Sequence, residues 1–468
     1  MKTLLVLPPF RKLSGSYSNE IPLNLLYIAA VLKKHNFPVK TINFDFKRVK
    51  EIERILSPLL TSKNIKLKKT VWKDVERVIK KESPDILGIS CETPSYTSAV
   101  KVAKIAKKIN KDILVVVGGS HPTALPNETI LVPFFDIVVR REGELTMLEL
   151  LNTLKNNGDL KKVKGIVFKK KKKIITTPTR PLIKNLDVLP FPARDSLINE
   201  KHYSPTNMGV LISGRGCPFN CAYCARWVKW GSVVRLRSPE NVVNEIEHVQ
   251  EMYGTFDFKF HDDTFTLNKK RVIKICEIIR KRKLDIIWGC VTRADRVNRT
   301  LIKKMKSAGC RWIFFGVESG SQEMLNKMRR GMKLSQIRKA IKICKDEGLI
   351  IHASFMIGYP GESKKTLKST FQLIKELKPD FNPIFFVVPF PGTELSKYIK
   401  KEDLLTNDYS KYTYEQQIIK LNGLTSEELY NFYRKIIRGF RKKWVKYYIK
   451  RIKQDFPFFM RHYIKIFI

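Results

Sequence analysis

Three cysteines fall within eight positions, Cys217, Cys221 and Cys224, at C-x3-C-x2-C spacing in the stretch Ser213-Gly214-Arg215-Gly216-Cys217-Pro218-Phe219-Asn220-Cys221-Ala222-Tyr223-Cys224. The apolar run Gly209-Val210-Leu211-Ile212 just upstream reads as a buried strand, which places the thiolates on the loop leaving it. Gly216, Pro218 and Asn220 mark a loop and not a core face, which argues against three merely buried cysteines. Two metal readings remain. A structural zinc takes four protein ligands, signalled by paired C-x2-C knuckles or a knuckle with histidines. The next cysteine, Cys276, lies far off in what reads as a helix. A [4Fe-4S] cluster on three cysteines leaves one iron open, whereas most electron-transfer clusters use four. Three donors therefore point to chemistry at an open iron.

These cysteines, with Tyr223 before the last of them, resemble the signature of the radical S-adenosylmethionine (SAM) enzymes. The resemblance implies that Cys217, Cys221 and Cys224 hold a [4Fe-4S] cluster whose open iron chelates the amino and carboxylate groups of SAM. It also implies one-electron cleavage of SAM to a 5′-deoxyadenosyl radical, the electron coming from a donor such as a ferredoxin or flavodoxin.

The elements that must position such a centre run from about 205 to 395. Helical patterns over 239–252, 269–281, 298–308, 335–347 and 362–377 alternate with strand patterns over 256–261, 286–292, 312–318, 350–357 and 381–388. About six strand–helix units predict a partial (β/α)6 barrel like that of radical SAM enzymes, with the residues closing each strand facing the site. Those residues are His261-Asp262-Asp263, Thr292-Arg293, Glu318-Ser319, Ile357-Gly358-Tyr359-Pro360-Gly361-Glu362 and Pro389-Phe390-Pro391-Gly392-Thr393. Asp262, Asp263 and Glu318 suit the amine and ribose of SAM, and Arg293 suits its carboxylate through forked charge-assisted hydrogen bonds. The resemblance implies ribose at Glu318 and adenine at Ile357-Gly358. Any one of these alone reads equally well as a strand-end cap or a surface ion pair.

Residues 1–150 also alternate strand and helix, which predicts a doubly wound, Rossmann-like parallel sheet with its ligand outside the carboxyl ends of the strands. This half resembles the cobalamin-binding (B12) domain that precedes some radical SAM domains. The resemblance implies cobalamin contacts at Ser90, Thr93, Gly118, Gly119, His121 and the turn Glu142-Gly143-Glu144. The D-x-H-x-x-G motif that supplies a histidine to cobalt is absent, and Phe10 to Glu20 holds no histidine. The expectation is cobalamin without a protein ligand from below; the alternative is a scaffold that binds nothing. Residues 151–204 read as a lysine-tipped hairpin and a proline-stiffened linker, Leu189-Pro190-Phe191-Pro192.

A chain of 468 residues suggests two or three domains. At 43% hydrophobic and 28% charged it is not a disordered chain. No signal peptide or 20-residue apolar span is visible, and the scattered cysteines form no disulfide framework, so the expected compartment is reducing cytoplasm. Lys and Arg total 89 against 44 acids, a net charge of +45. Such a balance suits polyanions, but lysine is dense nearly everywhere, as on a uniformly solvated surface. Residues 396–468 read as a helical, basic and aromatic region. From Tyr430 to Ile468 twelve Lys and Arg face one acid, Asp455, among twelve aromatics. A basic amphipathic helix with Phe432, Ile436, Phe440 and Trp444 on its stripe would lie on an anionic membrane, stack on bases, or pack on the barrel.

The resulting expectation is a cobalamin-dependent radical SAM enzyme that methylates an unactivated carbon of a small molecule or lipid. Peripheral membrane contact through the tail ranks above nucleic acid. One alternative is a radical SAM tRNA methylthiotransferase, whose second cluster needs three N-terminal cysteines where this half has only Cys91. The other is a non-enzymatic cobalamin or SAM sensor tethered by its basic tail.

Overall fold

The computed structural model describes residues 1–11, 13, 20–46, 67–171 and 173–439. Its first half is a seven-stranded sheet in the order β2-β1-β3-β4-β5-β6-β7. The strands are β1 (Thr3–Leu7), β2 (Val39–Asn43), β3 (Ile86–Ser90), β4 (Leu114–Gly118), β5 (Ile137–Val139), β6 (Ile166–Lys170) and β7 (Lys173–Thr176). The first five are parallel, and the hairpin β6–β7 extends the same sheet antiparallel to β5. β3 and β4 are almost wholly apolar because both faces are covered. Val75, Ile79, Ala99 and Val102 from the helices Leu67–Glu82 and Tyr96–Ile109 cover one face, and Leu32, Met147, Leu150 and Leu151 from Leu23–Lys34 and Glu144–Lys155 the other. Strand order reverses at β1, beside which a doubly wound sheet opens its ligand crevice.

The linker is anchored to both halves. Ala193 N donates to Leu26 O at 3.0 Å and Ile198 N to Thr41 O at 3.0 Å. Arg194, 1% exposed, donates to Met208 O, Val210 O and Glu245 Oε1 at 2.9–3.0 Å.

The second half is a six-stranded, all-parallel sheet in the order β8-β11-β12-β13-β14-β15. Its strands are β8 (Val210–Leu211), β11 (Asp257–Phe260), β12 (Ile287–Thr292), β13 (Cys310–Glu318), β14 (Ile350–Ile357) and β15 (Ile384–Phe386). Between β8 and β11 sits a small antiparallel pair, β9 (Gly214–Arg215) with β10 (Arg235–Leu236). Each crossover helix turns an apolar stripe inward. Helix Pro239–Tyr253, for example, buries Val242, Val243, Ile246 and Val249, is started by the Ser238 side chain and is stopped by left-handed Gly254. The partial (β/α)6 barrel expected from the sequence is present.

The basic region after 395 begins as short turns and continues as a helix over 426–439. Leu429 and Ile436 are fully buried, Phe432 meets Phe371 edge-on, and Tyr430 and Tyr433 lie against Phe386. This part of the aromatic stripe therefore packs on the barrel. Residues 440–468 lie outside the described residues. No described helix is long and apolar enough to cross a membrane.

Candidate active site

The cysteine loop leaves β9 through Gly216, whose φ is +93°; a Cβ there would meet Val233 O at 1.9 Å, so only glycine lets the loop enter beside residues 233–234. Ala222 N donates to Met328 O at 3.0 Å and Leu395 N to Ala222 O at 2.8 Å, clamping the loop between two barrel segments. Cys221 is buried, while Cys217 and Cys224 are partly exposed. Cys217 Sγ lies 3.7 Å from Thr264 Oγ1, and Cys221 Sγ accepts from Arg330 Nη1 at 3.5 Å. No group of three His, Cys, Asp or Glu among the described residues converges on a single ion. Three loop thiols, one already supplied with an N–H donor, fit the cluster.

The residues expected at SAM divide into two groups. Asp262 holds Ser213 with both oxygens, from Ser213 N at 2.7 Å and Ser213 Oγ at 2.6 Å, so its carboxylate fixes the end of β8. Arg293 is 2% exposed and spent: it forks onto Asp295 at 2.9 and 3.2 Å, donates to Arg330 O at 2.9 Å and lies 3.6 Å over the Phe219 ring. The polar atoms of Asp262 and Arg293, expected at the amine and carboxylate of SAM, thus already have partners inside the fold.

Asp263 and Glu318 are different. Asp263 pairs with Arg226 at 2.5 Å through one oxygen, while Oδ2 is buried without a hydrogen-bond partner. Burial raises its pKa, with Arg226 and Lys229 opposing. Glu318 takes φ +72°, a left-handed conformation unfavourable for a side-chain-bearing residue, at a register shift in β13. The bulge re-aims its carboxylate. Burial raises its pKa, opposed by Arg330 and by a hydrogen bond from Tyr223.

At the end of β14, Ile357 is fully buried and its carbonyl accepts from Val387 N at 2.9 Å. Gly358 N donates to Glu362 Oε2 at 2.6 Å. The Ile357 carbonyl is thus engaged by the segment after β15 and Gly358 N by the turn itself; φ of +83° explains the glycine, since an added Cβ would approach nothing closer than 3.4 Å. Burial pushes the Glu362 carboxyl up to about 7. An acid whose folded pKa exceeds its unfolded value of 4.5 favours folding below that value and loses the contribution as pH rises through 7. Urea unfolding should therefore show stability falling by up to about 3 kcal/mol from this group between pH 4.5 and 8, and Glu362→Gln should flatten that slope. Parallel profiles for the two proteins would refute it.

In the first domain, Ser90 Oγ accepts from Asn24 at 2.9 Å, and His121 Nδ1 lies 3.3 Å from Thr93 Oγ1. The His121 ring is fully buried between Tyr96 and Tyr409, and burial lowers its pKa to about 4, so it is neutral. Gly118 O accepts from Cys91 N at 2.7 Å, and a Cβ on Gly119 would strike Cys91 O at 2.3 Å. A Cβ on Gly143 would meet Ile28 Cδ1 at 2.8 Å. The close approaches served by Gly119 and Gly143 are to the protein's own chain.

Glu142 and Glu144, expected at cobalamin, have the most extensive partners inside the fold. Glu142 Oε1 takes Arg215 Nη1 at 2.8 Å, Arg235 Nη1 reaches both its oxygens at 2.8 and 2.9 Å, and Ile183 N donates to Oε2 at 2.9 Å. Glu144 takes Arg215 Nη2 at 2.6 Å. All four side chains are buried, and each buried charge needs its partner. This network joins the first domain to β9, two residues before Cys217.

Sequence reasoning missed Arg226, Arg330, Arg215, Arg235, Tyr409 and Tyr414. Position 226, two after the last cysteine, was the only available hint. Tyr414 comes from beyond the barrel. It is half exposed and lies within electrostatic reach of Glu92, Cys224, Arg226 and Glu318.

A Rossmann-type domain latched to a partial barrel that bears a three-cysteine loop defines a class of two-domain radical enzyme. The family model described as the Radical SAM superfamily matches residues 211–374, and that of the B12 binding domain matches 15–151. The chain is 36% identical over 457 residues to a protein named "Uncharacterized methyltransferase PH0819" of Pyrococcus horikoshii, covering 96% of this chain and 93% of that one. It is 30% identical to the anaerobic magnesium-protoporphyrin IX monomethyl ester cyclase of Rubrivivax gelatinosus, covering 80% and 68%. In fold it resembles the radical SAM methyltransferase TsrM of Kitasatospora setae, solved with cobalamin and a [4Fe-4S] cluster. The TM-score is 0.70 at 15% identity, covering 93% and 91%. The chain belongs to the cobalamin-dependent radical SAM enzymes, whose cofactors are a [4Fe-4S] cluster, SAM and cobalamin.

Proposed function

We propose that this enzyme methylates an unactivated carbon of a hydrophobic or anionic small molecule held between its two domains. The observation that carries the reading is the buried network of Glu142 and Glu144 with Arg215 and Arg235, which ties the cobalamin-type domain to the strand entering the cysteine loop. When bound, the cluster and SAM supply hydrogen abstraction and cobalamin supplies the methyl group. Cys217, Cys221 and Cys224 would hold the cluster. The free oxygen of Asp263 and the re-aimed Glu318 suit the amine and ribose of SAM, and Arg226 suits its carboxylate. Tyr414, a neutral phenol, is offered to the substrate from the far side. Ser90, Thr93 and the Gly118-Gly119 turn line the strand ends where cobalamin would sit.

The test uses oxygen-free, reconstituted enzyme with trideuteromethyl-SAM, titanium(III) citrate and a small-molecule extract of the source cells. A product carrying the labelled methyl is expected alongside 5′-deoxyadenosine. 5′-Deoxyadenosine without any labelled product would instead favour a ring closure or oxidation.

The same proposal places the enzyme in the cytoplasm, taking its electron from a ferredoxin or flavodoxin. It keeps a lipid substrate and peripheral membrane contact only through residues 440–468, since the stripe before them is taken up by the barrel. Anionic liposomes should co-sediment the full chain and not a chain ending at 439; equal binding by both removes the tail's role.

A further inference from the structure

Of the three cluster cysteines, Cys221 has a distinct environment. Arg330 Nη1 donates to its Sγ at 3.5 Å, and Arg293 Nη1 lies 4.0 Å away. Cys217 Sγ lies 3.7 Å from the Thr264 hydroxyl, and the charge near Cys217 and Cys224 is that of Arg226. Arg330 stands just past the helix Gln322–Lys327, buried, with Nη2 donating to Gly316 O at 2.6 Å and lying 3.7 Å from Glu318 Oε1. β13 leaves room for it. A Cβ on Gly316 would come within 2.8 Å of Arg330 Nη2 and 2.5 Å of Glu318 Oε1. Arg293 is neutralised by its fork onto Asp295, and its contact with Arg330 O holds the Arg330 backbone in place. At 3.5 Å against 4.0 Å, the nearer donor to the sulfur is Arg330.

We propose that Arg330 is a positioning residue that sets the reduction potential of the cluster through its hydrogen bond to Cys221. Hydrogen bonds to cluster sulfurs and the local charge set such potentials. The reduced cluster carries one more electron, so a buried guanidinium at a ligand thiolate stabilises it relative to the oxidised form, and the low local dielectric enlarges the effect. The electron itself comes from the external donor. With Arg330 in place, a donor of given strength reduces a larger fraction of the enzyme.

The inference rests on the cluster reading, and iron analysis separates the two: protein without iron fails that reading before potentials are measured. The experiment is an EPR-monitored potentiometric titration, with dithionite as reductant, of reconstituted full-length wild type and of Arg330→Met, Arg330→Gln and Arg330→Lys. Arg330→Met should lower the reduction equilibrium at least tenfold, a shift of about 59 mV to the negative for one electron. Arg330→Lys, which keeps the charge, should stay nearer wild type, and Arg330→Gln, which keeps only an N–H donor, should fall between. If Arg330→Met fails to hold a full cluster, the glutamine and lysine variants decide. Potentials indistinguishable from wild type in every variant with full iron content would overturn the proposal.

Discussion

Alanine at Cys217, Cys221 or Cys224 is expected to reduce 5′-deoxyadenosine formation to that of a protein-free control, with the iron content of the anaerobic protein falling in parallel. Loss of one of three thiolates leaves two irons of the cluster without protein ligands, and the remaining scattered cysteines cannot substitute. Cys276, Cys290, Cys310 and Cys344 are buried in the barrel core and Cys91 in the first domain. The three variants should nevertheless differ in stability before any cluster is added. Cys221→Ala removes the acceptor that faces Arg330 Nη1 and leaves a buried donor unsatisfied, a loss of about 1–3 kcal/mol. Cys217→Ala removes a 3.7 Å contact with the Thr264 hydroxyl and strands no donor of that kind. Thermal unfolding of the iron-free proteins should therefore rank Cys221→Ala below Cys217→Ala. Equal midpoints would mean that the arginine gains little from the thiol, and would also weaken the proposed role of Arg330.

Breaking the interdomain network should have the largest effect on stability. Glu142 accepts four hydrogen bonds from three donors, all inside the protein. Glu142→Ala strands Arg215 and Arg235 as buried cations facing one remaining carboxylate, Glu144, and removal of one member of such a network costs about 3–5 kcal/mol. A several-degree fall in the first unfolding transition is expected. Because Arg215 precedes Gly216 and Cys217, the damage should reach the chemistry as well. The variant should retain its iron and still cleave SAM, while the yield of product per 5′-deoxyadenosine drops, because the two cofactor-bearing halves lose their fixed separation. A wild-type coupling ratio together with the predicted loss of stability would mean that the network only holds the domains together. Replacing all four side chains by apolar ones of similar volume should recover much of the stability and none of the coupling, since buried ion networks gain little over well-packed apolar groups.

The sequence carried the architecture because each signal behind it is local. The C-x3-C-x2-C loop is contained in eight residues, and the strand before it is an uninterrupted apolar run. The two strand–helix series are visible because parallel sheets buried on both faces demand apolar strands such as Ile86–Ser90 and Leu114–Gly118. Strand ends follow from the strands. What local pattern does not reach is the step from a polar residue at a strand end to its partner in the fold. Asp262, Arg293, Glu142 and Glu144 stand where ligand-binding residues stand, and their chemistry suits SAM or cobalamin. Arg293 forks onto Asp295 two positions on, whereas Asp262 reaches back to Ser213, and Glu142 and Glu144 take Arg215 and Arg235, up to 93 residues away in the chain. No spacing rule reaches across such a distance.

The amino-acid order alone thus determined the two domains and the cysteine trio, both products of nearest-neighbour pattern and burial. Only the tertiary structure decided which charges are free to meet a ligand and which are consumed by one another. The physical reason is that a buried charge must be neutralised by whatever the fold brings beside it. That choice paired Asp263 with Arg226 through one oxygen and left the other unpartnered, set Glu318 at a bulge beside Arg330, and gave Arg330 to a cysteine.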